Sequence, residues 1–187
     1  AAPPFYMNIG QEELTAYYQK LADEVPLPLF LYNMPSHTKI SIELSTVKSL
    51  SAHPNILGIK DSSGDLNYFE GLCRAFRDYQ DFRIFVGPEE ILLQTLRLGG
   101  HGGVTGGANL FPRLYTSLFV AFENQDLEKA EHLQETIHFL SQQIYQNTQY
   151  RSCYLKGLKA AMGFEGLCQG ILAPPLAAYS ESEKKTL

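Results

Sequence analysis

Lys60 closes the run Ile56-Leu57-Gly58-Ile59-Lys60. A lysine at the tip of an otherwise apolar run is costly unless its ammonium is paired or used. Desolvation disfavours the charged form and leaves a free amine that can attack a carbonyl. The other reading is a lysine that snorkels to Asp61 or Asp65. Tyr32 ends the earlier run Pro28-Leu29-Phe30-Leu31-Tyr32. A phenol there can pass a proton to or from a reacting carbonyl or hydroxyl, or be a buried tyrosine whose hydroxyl finds a backbone partner. Gly99 to Gly107 reads Gly-Gly-His-Gly-Gly-Val-Thr-Gly-Gly and matches neither common nucleotide-binding glycine pattern. Its bare backbone, around Gly103 and Val104, can approach an anionic group closely, or simply make a tight turn from strand to helix. Glu89 and Glu90 follow Gly87-Pro88. They can accept hydrogen bonds from substrate hydroxyls, or sit as acids in the first turn of a helix. The histidines His37, His53, His101, His132 and His138 lack the spacing of a metal site, so no metal is expected.

These residues need elements to hold them. Pro28–Tyr32, Asn55–Lys60 and Phe82–Val86 are short apolar runs ended by turn formers, which predicts strands. A fourth, His101–Thr105, is weak because glycine dominates it. Helical spacing is found over Gln11–Glu24, Ser41–Leu50, Leu66–Tyr79, Glu89–Leu98 and Pro112–Glu123, with Asp65 a good N-cap. The strand ends Tyr32, Lys60 and Gly87 lie 28 and 27 residues apart. Strand and helix alternating at that pace predict βα units on a parallel sheet. Alternation puts Leu29 and Leu31 on one face and Phe30 and Tyr32 on the other. Lys60 shares the side of Gly58, so it should face the same way as Tyr32 one strand over. Both faces are mostly apolar, which predicts that both are covered. After Asp126 only helices are expected, Leu127–Thr148 and Arg151–Met162, followed by a solvated tail at Ser180–Lys185.

Composition excludes other classes. The 187 residues carry 15 Lys+Arg against 20 Asp+Glu, net charge −5, leaving no basic surplus for nucleic acid. No apolar run approaches the roughly 20 residues of a membrane span. Cys73, Cys153 and Cys168 are odd in number and widely spaced, which favours a reducing, cytoplasmic setting.

Three segments, taken in order, resemble one family. Tyr32-Asn33-Met34-Pro35-Ser36 is similar to its Tyr-Asn-x-Pro strand end. Gly58 to Asp65 is similar to its Schiff-base lysine segment, and Gly99 to Asn109 to its glycine-rich last strand. The family is the dihydrodipicolinate synthase/N-acetylneuraminate lyase group of class I aldolases. The resemblance implies a β/α (TIM) barrel that joins or splits pyruvate, or another 2-oxo acid, and an aldehyde, with no cofactor. By motif, Lys60 is the Schiff-base lysine and Tyr32 the general acid/base. Val104, with Gly103 before it, matches the backbone that lies against pyruvate. Gly87, Glu89 and Glu90 match the loop that holds a hydroxylated tail in sugar-acid lyases. His37 stands where the lysine-pathway synthases usually carry arginine, and Lys39 where glycine is common. A different aldehyde partner is therefore open, with a sugar-acid lyase as the alternative.

The family's early Gly-Thr-Thr-Gly segment does not occur, and only about four βα units are visible where a barrel has eight. The expectation is an α/β chain that holds the C-terminal part of such a barrel over residues 1–125, then a helical region over 126–187. Ala1 to Tyr6 would be the end of an earlier strand. Alone it should be inactive and prone to self-association; family members commonly form homo-oligomers. A non-catalytic half-barrel interaction module, and a phosphate-sugar aldolase cradling its anion at Gly106 and Gly107, are the other readings.

Overall fold

The structure is a computed structural model that describes residues 1–145 and 150–184, apart from the side chain of Glu181. The chain forms two compact units, Ala1–Val104 and Thr105–Leu187.

The first unit opens with α1 (Gln11–Glu24), whose start is held by the Glu13 carboxylate accepting the Gly10 N–H at 2.9 Å. Leu14, Tyr18 and Ala22, at helical spacing, are its buried residues. Strand β1 (Leu29–Asn33) leads into a single turn, α2 (Pro35–Thr38), and then α3 (Leu44–Leu50). Strand β2 (Ile56–Asp61) precedes α4 (Leu66–Ala75). The Asp65 carboxylate caps α4 by accepting N–H groups from Asn67 and Tyr68, at 2.9 and 3.2 Å. Strand β3 (Arg83–Val86) runs through a short 3-10 turn, Glu89–Ile91, into α5 (Leu92–Arg97). Each predicted helix forms, but Ser41–Leu50, Leu66–Tyr79 and Glu89–Leu98 are shorter than their apolar spacing suggested.

The strands are parallel in the order β1-β2-β3. Leu31, Ile59 and Ile84 are register partners across all three, each at most 1% exposed. Val47, Leu50, Phe69, Leu72 and Leu93 of α3, α4 and α5 are buried likewise, each burial contributing roughly 1.5–3 kcal/mol. The opposite face is different. Phe30, Tyr32, Lys60 and Phe85 are only half-buried. The expectation that both faces are covered is therefore corrected. Three strands do not curl far enough to cover their own inner face, as a closed barrel does.

Two further sequence expectations meet the sheet. The segment His101–Thr105 pairs with β3 only through a single parallel bridge, Val86 with Gly103, so three of the four expected strands form among the described residues. At the other edge, the Ala1 nitrogen donates to Phe30 O at 2.6 Å, and Tyr32 N–H donates to Ala1 O at 2.8 Å. Ala1 thus makes the pair of bonds that a neighbouring parallel strand makes.

The second unit holds α6 (Pro112–Glu123), α7 (Leu127–Tyr145), α8 (Cys153–Phe164) and the single turn α9 (Glu181–Lys184). Helix α7 packs against both α6 and α8. Gly157 makes the second contact possible, because a methyl group there would lie 1.9 Å from the Ile144 carbonyl oxygen. Lys156 is buried, with its Nζ 3.6 Å from the Tyr150 ring centroid and 5.4 Å from that of Tyr179. The expected helix end at Thr148 lies outside the described residues.

Candidate active site

Tyr32 and Lys60 are direct register partners at the ends of β1 and β2. Both side chains lie on the half-open face, as strand alternation requires. Lys60 Nζ sits 4.3 Å from the centroid of the Tyr32 ring. The Tyr32 hydroxyl reaches the Met34 sulfur at 2.7 Å, not a backbone acceptor. Neither nearby carboxylate serves as the lysine's partner. Asp65 caps α4, and Asp61 points to the opposite face.

Gly87, the residue after β3, completes this side of the site. Its N–H donates to Asp61 O at 2.7 Å. A methyl group on Gly87 would stand 1.9 Å from Ser62 Oγ and 3.3 Å from Lys60 Cε. Glycine here leaves the room that the lysine stem and the Ser62 hydroxyl occupy. Gly103 bridges to Val86, and Val104 donates its N–H to Val86 O at 2.8 Å. This places the glycine-rich backbone alongside the third strand tip, with Val104 53% exposed.

The other candidates are more scattered. His37 lies exposed on α2, its Nδ1 2.9 Å from Ser36 Oγ. Lys39, just beyond, has φ of +64°, the left-handed conformation that glycine adopts without strain. Glu89 is 2% exposed and Glu90 is half-buried, both in the 3-10 turn after Pro88. The buried carboxylate of Glu89 is closed to a ligand arriving from solvent. Among the described residues, no group of three or more His, Cys, Asp and Glu is placed to hold a metal ion. None of their helices is long and apolar enough to cross a membrane.

The structure adds residues that sequence reasoning missed. Asn33 and Asp61, each 1% exposed, follow Tyr32 and Lys60 and are themselves register partners. Asn33 Nδ2 donates to Asp61 Oδ1 at 2.7 Å, and Ile42 N–H donates to Asn33 Oδ1 at 3.0 Å. Ser63 donates its N–H to Asp61 Oδ1 at 3.2 Å and its hydroxyl to Asp61 Oδ2 at 2.9 Å. Burial pushes the Asp61 carboxyl above the usual range, and the bonds from Asn33 and Ser63 offset that only in part. Parity was the available signal: Asn33 shares the buried side of Leu31, and Asp61 that of Ile59.

A lysine and a tyrosine paired at the C-terminal tips of adjacent parallel strands, beside a glycine-rich backbone, define a β/α-barrel type of site. The dihydrodipicolinate synthetase family model matches residues 1–187. The 4-hydroxy-tetrahydrodipicolinate synthase of Thermodesulfovibrio yellowstonii is 32% identical over 184 residues, covering 98% of this chain and 61% of that protein. The dihydrodipicolinate synthase structure from Bacteroides thetaiotaomicron superposes with a TM-score of 0.94 at 44% identity, over 99% of this chain and 62% of that one. YagE, a prophage protein of the same family from E. coli K12 whose structure is a complex with pyruvate, gives 0.90 at 27%, over 98% and 61%. The chain belongs to the dihydrodipicolinate synthetase family, and it spans about 60% of the length of these relatives.

Proposed function

We propose that this chain carries the reacting residues of a Schiff-base lyase acting between pyruvate, or a close 2-oxo acid, and an aldehyde. The observation that supports it is the pairing of Lys60 and Tyr32 in register, 4.3 Å apart from amine to ring centroid, with Gly87 leaving room for the lysine stem.

The Lys60 amine, once unprotonated, adds to the ketone carbon, and loss of water gives an iminium. The iminium withdraws electrons, so the adjacent methyl carbon gives up a proton and becomes a nucleophilic enamine carbon. That carbon forms a bond to the aldehyde carbon, while the aldehyde oxygen takes a proton. Tyr32, on the same face, is the group that supplies it and later recovers one. Water then adds to the new iminium and frees the lysine; the lyase direction is the reverse. Gly103 and Val104 offer the backbone against which the 2-oxo acid lies. Gly87, Glu90 and His37 edge the space left to the aldehyde. Glu89 acts there only through its neighbours, because it is buried.

Incubating the protein, as its gene encodes it, with pyruvate and borohydride tests this reading. A reduced adduct on the peptide carrying Lys60 is expected, with none in Lys60→Arg. Adducts only on other lysines, or none, overturn it. Tyr32→Phe should still form the adduct but lose about 100-fold or more in turnover, the usual weight of a general acid.

A further inference from the structure

Pairing between β3 and the glycine-rich segment is irregular. Val86 N–H donates to Gly102 O at 3.0 Å and Val104 N–H to Val86 O at 2.8 Å, regular parallel pairing about Gly103. Continued backward, that ladder would take the Ile84 N–H to the Gly100 carbonyl and the Gly102 N–H to the Ile84 carbonyl. The structure shows neither. Ile84 O receives the N–H of His101, one residue early, at 2.8 Å. The Ile84 N–H turns to His101 Nδ1 at 3.1 Å. Gly102, at φ +143°, occupies the backbone conformation that this one-residue slip requires.

The imidazole therefore fills the place of a main-chain carbonyl. Ile84 lies in the buried strand, where a stranded N–H is expensive. A ring nitrogen that accepts an N–H must carry a lone pair. Burial, then the Arg83 charge, push the pKa of His101 down, which keeps that lone pair available. No main-chain group of the slipped segment takes over this bond.

We propose that His101 is a positioning residue that fixes the Gly103–Val104 backbone at the height where it meets the 2-oxo acid. The inference rests on the proposed roles of Lys60 and Val104. One residue, Gly102, separates His101 from Gly103, and the two hydrogen bonds that hold the Gly102–Val104 segment on the strand both run through Val86, next but one to Ile84. Losing the Ile84–His101 bond leaves the Ile84 N–H unpaired and removes one anchor of the segment that leads into Gly103, so the Gly103–Val104 backbone is held by its bonds to Val86 alone.

The test is borohydride trapping against pyruvate concentration in the protein as its gene encodes it. His101→Leu should raise the pyruvate needed for half-maximal adduct about tenfold, the worth of one buried hydrogen bond. The extent of adduct at saturating pyruvate should stay near wild type. His101→Asn, whose side-chain oxygen falls near the Nδ1 position, should restore half-saturation to within about threefold of wild type. His101→Gln, whose oxygen lies one bond further out, should not. The Asn and Gln variants carry the test if the leucine variant does not fold. Half-saturation unchanged in His101→Leu, or equal in the Asn and Gln variants, overturns the inference while leaving the lysine reading intact. Wild-type protein that traps no pyruvate on Lys60 overturns the lysine reading and this inference with it.

Discussion

At the scale of the residue, Asp61 of the buried pair beside the reacting pair makes the stability of the fold depend on pH. Asp61 is shielded from water, and its carboxyl titrates above the usual range because of that burial. A raised folded-state pKa means that the fold favours the neutral acid. The stability this contributes is complete below the unfolded value, near 4, and is lost as pH rises through the folded value. Asp61→Asn keeps an oxygen for Asn33 Nδ2 and the Ser63 N–H without a charge to bury. Its stability relative to wild type, read by urea unfolding, should therefore grow between pH 4 and pH 7. Asp61→Ala strands the Asn33 amide and should cost about 1–3 kcal/mol. Cys73 supplies a second check at this scale. Burial pushes its thiol up to about 11, so it should resist alkylation at neutral pH in the folded chain.

At the scale of the element, sequence order was readable because it is written in local chemistry. Asp65 before Leu66 announced the start of α4, and the structure shows the carboxylate on two N–H groups. Asp65→Ala should cost about 1 kcal/mol in thermal or urea unfolding. Strand parity likewise placed Lys60 and Tyr32 on one face, where the structure puts them. The half-open state of that face was readable only from the count of units, since half a barrel leaves its apolar interior open. Apolar composition says that a surface should be covered, and not which segment covers it. The His101 slip was invisible for another reason. A side chain that imitates a carbonyl leaves no periodic trace, and the run of glycines hides register. Close approach left a partial trace: Gly58 stands in an apolar strand, and a methyl group there would lie 2.1 Å from Arg83 O and 2.4 Å from Phe30 Cε1. Gly58→Ala should destabilise the first unit by about 1–3 kcal/mol, measured by denaturant midpoint.

At the scale of the whole molecule, the inner face of the sheet shows Phe30, Phe85 and Val104 to solvent, and Phe5, Tyr6 and Met7 are 67–88% exposed. Exposed apolar surface of this kind gathers dye and other chains. The 187-residue chain alone should bind an apolar fluorescent dye and sediment as more than one species at micromolar concentration. A dye-negative, single monomer would contradict that. The boundary between the units, Val104 and Thr105, has a further meaning. Tyr32, Lys60, Gly87, Gly103 and Val104 all precede it, so the proposed reacting groups are encoded in one uninterrupted stretch. Crossing over between homologous genes at that point would exchange the helical tail while leaving these five residues together.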